Sequence, residues 1–94
     1  MTRLVWSAAA RAELKNAYDH IARDNPAAAE RTVSRIEAAA EFVARRNIGR
    51  IGRRRGTFEK SVIGTRYILI YTREEALGET RIVTVLHSSR DYGF

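Results

Sequence analysis

Six arginines, Arg45, Arg46, Arg50, Arg53, Arg54 and Arg55, are interleaved with Gly49, Gly52 and Gly56. A guanidinium presents a planar fork of N–H donors that matches phosphate and carboxylate oxygens, and at this density the charges create a field able to draw in a nucleic acid or an acidic protein segment. The glycines predict a flexible or tightly turned loop. The spacing is neither that of a phosphate-cradling P-loop nor that of a dinucleotide fingerprint, and no strand precedes it. A solvated basic connector fits the same residues. Of the 17 basic residues only Lys15 and Lys60 are lysine, and because Ala- and Arg-rich composition also follows from high-GC coding, the arginine excess alone assigns no partner.

Other chemistry is sparse. There is no cysteine, which removes disulfides and thiolate metal sites, and the two histidines, His20 and His87, stand far apart in the chain. That spacing offers no zinc set, and no cofactor is implied. With 94 residues and a net charge of +6, the chain is expected to form one domain, residues 1–94, whose own core covers a modest area. No signal-peptide pattern and no apolar run long enough for a bilayer is present, so the expectation is a cytoplasmic protein without a membrane partner.

The elements that must position these groups centre on residues 64–92. Tyr67-Ile68-Leu69-Ile70-Tyr71 and Arg81-Ile82-Val83-Thr84-Val85-Leu86-His87 are rich in β-branched and aromatic residues and flank a polar connector ending at Gly78, which predicts an antiparallel hairpin. Both alternating sets of the first run are apolar, so that strand should be central and covered on both faces. At the amino end, Arg3-Leu4-Val5-Trp6 reads as a short strand. Ser7 is a good helix cap, and Ala10, Leu14, Ala17, Tyr18 and Ile21 recur at helical spacing to about residue 24. Asn25-Pro26 opens a second helix, whose stripe of Ala29, Val33, Ile36, Ala40 and Val43 runs to about residue 46. Its many alanines are read mainly as helix propensity. Joined so tightly, the two helices should form an antiparallel hairpin. After the basic loop, residues 57–63 alternate weakly and can pair with the central strand through a turn at Ile63-Gly64-Thr65. The predicted order is β-α-α-β-β-β, an α+β fold with a helical hairpin on one face of a small, mostly antiparallel sheet. The other sheet face would stay open or be closed by a partner.

These residues carry a resemblance. Val5-Trp6-Ser7 with Ala10 and Glu13-Leu14, then Gly49-Arg50, Gly52-Arg53, Gly56-Thr57 and Glu59, then Val62, Gly64-Thr65 and the apolar strand to Tyr71, and finally Val85-Leu86-His87 with Arg90-Asp91, resemble the ParE/RelE superfamily of toxins, closest to the ParE branch. The likeness spans essentially the whole chain. It implies the toxin of a type II toxin–antitoxin module that inhibits growth, a role associated with plasmid stabilisation. A cognate antitoxin with an acidic carboxy-terminal segment would hold it in a hetero-oligomer. That segment is expected over Leu14, Tyr18, Ile21, Val33 and Phe42 of the helices and Tyr67, Leu69 and Tyr71 of the strand. A small core and a basic surface suit a partner that folds on binding.

The ParE branch implies action on DNA gyrase without catalysis; the RelE branch implies a ribosome-dependent endoribonuclease. Cleavage through the RNA 2′-hydroxyl needs a proton acceptor, a cation facing the phosphorane and a group that protonates the leaving oxygen. The candidates are Glu59 or Lys60 as base, Arg66 and Arg81 as phosphate clamps, and His87 or Tyr92 as acid. The central strands carry few of the basic residues typical of that branch, and Leu86-His87 belongs to the ParE pattern, so gyrase inhibition is the preferred reading. Departures from that pattern are Phe58, where relatives often carry arginine, Arg66, where a turn residue is common, and the lack of a proline before Gly49. A plain nucleic-acid-binding domain is a third possibility, carried by the arginine loop alone.

Overall fold

A computed structural model of the chain describes residues 2–46 and 48–89. In chain order the elements are β1 (Arg3–Trp6), α1 (Ala8–Ala22), α2 (Pro26–Arg45), β2 (Arg50–Ile51), β3 (Phe58–Ser61), β4 (Tyr67–Glu74), a 3-10 turn (Glu75–Leu77) and β5 (Glu79–His87). The sheet runs β1-β5-β4-β3-β2, and β1 lies parallel to β5 while the other pairs are antiparallel. The expected α+β architecture is therefore present, with the apolar strand at its centre.

Both helix starts follow from their caps. Ser7 Oγ accepts from the Ala10 N–H at 3.0 Å and donates to the Val83 carbonyl at 2.8 Å, so one hydroxyl begins α1 and ties it to β5. Ser7→Ala is expected to cost about 1–2 kcal/mol, read as a lower urea midpoint with unchanged slope. Asn25 Oδ1 accepts from the Ala28 N–H at 3.0 Å, and Pro26 occupies the first turn. The other end of α2 is bolted to the sheet. The carbonyl of Val43 accepts from Arg73 Nη1 at 2.9 Å, and that of Ala44 accepts from the Thr2 N–H at 3.0 Å and Thr2 Oγ1 at 2.8 Å. These donors occupy acceptors that a helix end otherwise leaves open.

The core joins Ala10 of α1 and Ile36, Ala40 and Val43 of α2 to Val62, Leu69, Tyr71, Ile82 and Val85. Ala10, Ala29 and Ala40 are fully buried, so at these positions the small side chain serves close packing as well as helix propensity. Tyr67, Leu69, Tyr71 and Arg73 point toward the helices, and by strand alternation Ile68, Ile70, Thr72 and Glu74 form the outer face. Ile70 and Leu86 are buried too. No helix covers the outer face, where Arg3, Arg50 and Arg81 reach solvent, although Ile70 and Leu86 are themselves shielded.

Strand ends differ from the expectation. β4 and β5 continue through the polar residues Thr72–Glu74 and Glu79–Thr80 with the ladder kept to Glu74↔Glu79, β3 is shorter than residues 57–63, and β2 falls within the expected loop. Within the β4–β5 ladder Ile70 faces Thr84 but Tyr71 faces Ile82, which leaves Val83 as a bulge. The Glu13 carboxylate braces this irregularity, accepting from Thr84 Oγ1 at 2.7 and 2.8 Å and from the Val85 N–H at 2.9 Å. A buried ladder interruption needs such a replacement partner.

Candidate functional site

The arginine loop is a folded hairpin. β2 and β3 pair at Arg50↔Glu59 and Ile51↔Phe58, the Gly52 N–H donates to the Thr57 carbonyl at 2.8 Å, and the Thr57 N–H and Oγ1 both donate to the Arg54 carbonyl, at 3.1 and 2.6 Å. Gly56 turns the chain at φ 82°, a conformation that disfavours a side chain. The hairpin closes around Glu59, whose Oε2 accepts from the Arg53 N–H at 2.9 Å and Arg53 Nε at 3.0 Å, while Oε1 accepts at 3.4 Å from Arg53 Nη2 and from Arg50 Nη2. Arg50 Nη1 also donates to Ser61 Oγ at 3.2 Å. A carboxylate more than ten residues from Arg45 in sequence, and not the glycines alone, sets the loop's shape.

A second such cluster occupies the opposite edge of the same face. Glu79 accepts from Arg3 Nη2 at 3.0 Å and from Arg81 Nη2 at 2.9 Å. Across the ladder, Arg3 faces Glu79, Val5 faces Arg81 and Thr72 faces Arg81, which puts this cluster on the outer face with Glu59. In both cases the carboxylate is buried and its arginines reach solvent: Glu59 is 4% exposed beneath Arg50 and Arg53 at 55% and 45%, and Glu79 is 9% exposed beneath Arg3 and Arg81 at 73% and 46%.

Burial of Glu59 opposes its charge, but the Arg53 N–H, the Arg53 side chain and the Arg50 charge outweigh it, so the carboxyl lies below its usual 4.5. The Arg3 hydrogen bond, joined by Arg81 and opposed by burial, lowers Glu79 from the same value. For a carboxyl depressed in the folded state the stabilisation is complete above the unfolded value and disappears as pH falls through the folded one. Stability should therefore hold from neutrality to about pH 5 and decline in acid as these two groups protonate. In acid titrations of the melting temperature, Glu59→Gln should show a lower plateau and a flatter acid limb than the parent; parallel curves would remove Glu59 from that dependence.

The residues considered for RNA cleavage do not converge. Glu59 and Arg81 lie on the outer face, each held in its own ion cluster. Lys60 faces Leu69 and lines the groove between α2 and β3, on the helix side. His87 also belongs to the helix side: its ring packs edge-on against Tyr67, with centroids 5.2 Å apart, and its Nδ1 accepts from the Ser89 N–H at 3.2 Å. Arg66 is exposed before β4, its carbonyl accepting from the Ser88 N–H at 2.6 Å. Tyr92, like Arg90-Asp91, lies outside the described residues. Glu59 and His87 lie on opposite faces and cannot act on one phosphate, and Lys60 and His87, though both on the helix side, line different cavities. His20 and His87, distant in sequence, do line one polar cavity of about 590 Å³ with Glu13 and Asn16, yet among the described residues no three metal-ligating side chains come together.

The residues expected to face an antitoxin divide in the same way. Leu14, Tyr18 and Val33 share an apolar depression of about 550 Å³ between the helices, and Ile21 is half-buried. Phe42 lines a second groove, of about 690 Å³, with Ile48, Val62 and Ile63. Tyr67 faces the cavity of His87. Leu69 and Tyr71, by contrast, are fully buried and offer a partner no surface; strand alternation turned them onto the helices. Exposed Ile48 and Ile63, at 52% and 83%, were missed by sequence reasoning, though a β-branched side chain beside a turn glycine was a visible signal. Of the basic residues, Arg45, Arg46, Arg54 and Arg55 are exposed, and the Arg46 guanidinium lies 5.5 Å from the Phe42 ring centre. Among the described residues no helix is long and apolar enough to cross a membrane.

A family model described as the ParE toxin of the type II toxin–antitoxin system, parDE, matches residues 4–92. Among solved structures, the chain is similar to the chromosomal ParDE TA system from P. aeruginosa, with a TM-score of 0.81 and 21% identity over 93% of this chain and 96% of that one. It is similar also to the toxin–antitoxin complex RelBE2 from Mycobacterium tuberculosis, with a TM-score of 0.63 and 22% identity over 95% of this chain and 93% of that one. Identities this low speak for the fold. No curated protein matches the chain significantly.

Proposed function

The chain belongs to the ParE toxin family of type II toxin–antitoxin systems, and from that premise we propose that it arrests growth as a non-enzymatic inhibitor of DNA gyrase, kept inactive by a cognate antitoxin in the cytoplasm. The observation that carries this reading is the family match across residues 4–92, because gyrase is the target that the resemblance to the ParE branch implies. The geometry adds support by what it separates. Glu59 has both oxygens committed to arginines on the face opposite His87, and Lys60 lines a different cavity from His87, so neither candidate base stands in one site with that acid.

The antitoxin reading draws on the helix side. Leu14, Tyr18 and Val33 give one apolar depression and Phe42, Ile48 and Ile63 another, a pair of sockets suited to the anchors of an amphipathic helix and its extension. Arg11 and Lys15 border the first depression and Arg35 and Lys60 the second, so acidic residues of such a segment would meet positive charge there. Both solved relatives are described as toxin–antitoxin assemblies.

The test is a supercoiling assay with purified gyrase and increasing amounts of this protein, beside a translating-ribosome assay for transcript cleavage. Loss of supercoiling, or trapped cleaved DNA, with intact transcripts is the expected result. Cut transcripts with normal supercoiling would overturn it and move the protein to the nuclease branch.

A further inference from the structure

Nearly all the net charge of this protein sits in one segment. Residues 45–59 hold six of the 17 basic residues and one, Glu59, of the 11 acidic ones; the remainder of the chain has 11 basic and 10 acidic residues, so the segment carries +5 of the total +6. Neither ion cluster neutralises its arginines: each has two guanidiniums for one carboxylate, and the carboxylate is the buried partner. A guanidinium fixed from below by a carboxylate keeps its remaining N–H donors turned outward and loses less side-chain freedom when a ligand arrives.

We propose that the outer sheet face and the β2–β3 hairpin tip together bind the phosphodiester backbone of a nucleic acid, with Arg50, Arg53, Arg54 and Arg55 as one contact group and Arg3 and Arg81 as the second. The groups stand three strands and about four residues apart, a diagonal of about 20 Å at ordinary strand spacing and rise. Duplex DNA presents roughly a dozen phosphate charges over that length. An acidic peptide is the weaker fit to this face. The apolar sockets that would anchor a peptide lie on the helix side, whereas phosphates are gripped by charge and N–H donors alone. The inference does not depend on gyrase as the target: a chain that fails to inhibit gyrase can still bind a polyanion here, and one that inhibits it can fail to.

The experiment is fluorescence anisotropy of the full chain with a labelled 30-base-pair duplex DNA, repeated with a double-stranded RNA and with a poly-glutamate peptide, from 50 to 200 mM salt. Binding to the duplexes should weaken steeply with salt. Arg54→Ala/Arg55→Ala should weaken binding about tenfold at low salt and reduce the log–log salt slope by about 2. The control is Arg23→Ala/Arg31→Ala, which removes equal charge from exposed positions at the end of α1 and on α2 and should change affinity less than about twofold if the site is localised. The more tightly bound duplex names the polymer. An absence of duplex binding at 50 mM salt, equal losses in the two double variants, or tighter binding of poly-glutamate than of either duplex would each overturn the proposal. Arg55→Ala alone, at the exposed hairpin tip, should show half the drop in slope and serves if the double variant melts early.

Discussion

Tyr71→Ala should lower the unfolding free energy by about 3–5 kcal/mol, the range for deleting a large buried aromatic side chain. Tyr71 has no exposed surface, stacks on Phe58 with ring centres 5.6 Å apart, and accepts from the Gly49 N–H at 3.0 Å through its hydroxyl. It therefore fills the core and also fixes the chain as it leaves α2 for β2. Burial pushes the phenol above its usual 10.0, against the Gly49 hydrogen bond and the Arg73 charge, so it remains a neutral hydroxyl in the folded protein. Domains of this size typically have about 5–15 kcal/mol in total, so the variant should sit close to unfolding at 37 °C. Tyr71→Phe separates the two roles: it keeps the ring but leaves the Gly49 N–H unpaired, a loss of about 1–2 kcal/mol. Urea denaturation of both variants measures this, and equal losses would mean that the ring contributes little beyond its hydroxyl. A Cβ at Gly49 would collide with the Tyr71 hydroxyl, which gives that glycine a steric reason independent of loop flexibility.

The Arg73→Met variant should lose about 2–3 kcal/mol, because a charged donor to a buried carbonyl is removed while its acceptor stays buried. Nη1 donates to the Val43 carbonyl at 2.9 Å and to Thr80 Oγ1 at 3.3 Å, joining the end of α2 to β4 and β5. Nε stands 3.5 Å from Glu75 Oε1 and makes no hydrogen bond, so the ion pair supplies attraction at that atom without a satisfied donor. A cation at a helix carboxy terminus also opposes the negative end of the helix dipole. Hydrogen exchange should report the loss locally, with the last turn of α2 and the Thr80 segment exchanging faster than α1. Uniform acceleration would show that Arg73 acts on global stability only. Arg73→Lys should recover part of the loss, since one ammonium retains the charge but not the planar reach to both acceptors.

The helices were legible because their caps are local: Ser7 and Asn25-Pro26 sit immediately before the residues they cap. The central strand was legible because apolar residues on both alternating sets leave few alternatives. The rest depended on partners distant in sequence. Thr72–Glu74 and Glu79–Thr80 look like connector, yet the ladder continues because Arg3 and Arg81 satisfy Glu79 and because Thr80 meets Arg73. The basic loop looked flexible because nothing within residues 45–56 reveals that Glu59 organises it. The resemblance implies a partner over Leu69 and Tyr71, but alternation alone does not say which face the helices cover, and the helices cover theirs. Chemical type alone does not place the candidate cleavage residues, which the strand register distributes over two faces.

The pairing of β1 with β5 has a consequence for how the protein is made. Arg3 and its partner Glu79 are 76 residues apart, so β1 has no strand neighbour until β5 has been added. The same late arrival completes β4, and it brings Thr80 to Thr2, the residue that also closes the end of α2. Distant pairing of this kind slows assembly, because the ends must meet before their contacts offset the entropy of closing the loop. A chain whose synthesis stops before β5 thus has capped helices but no finished sheet. The arrival of β5 therefore completes β1, β4 and the end of α2 in one step.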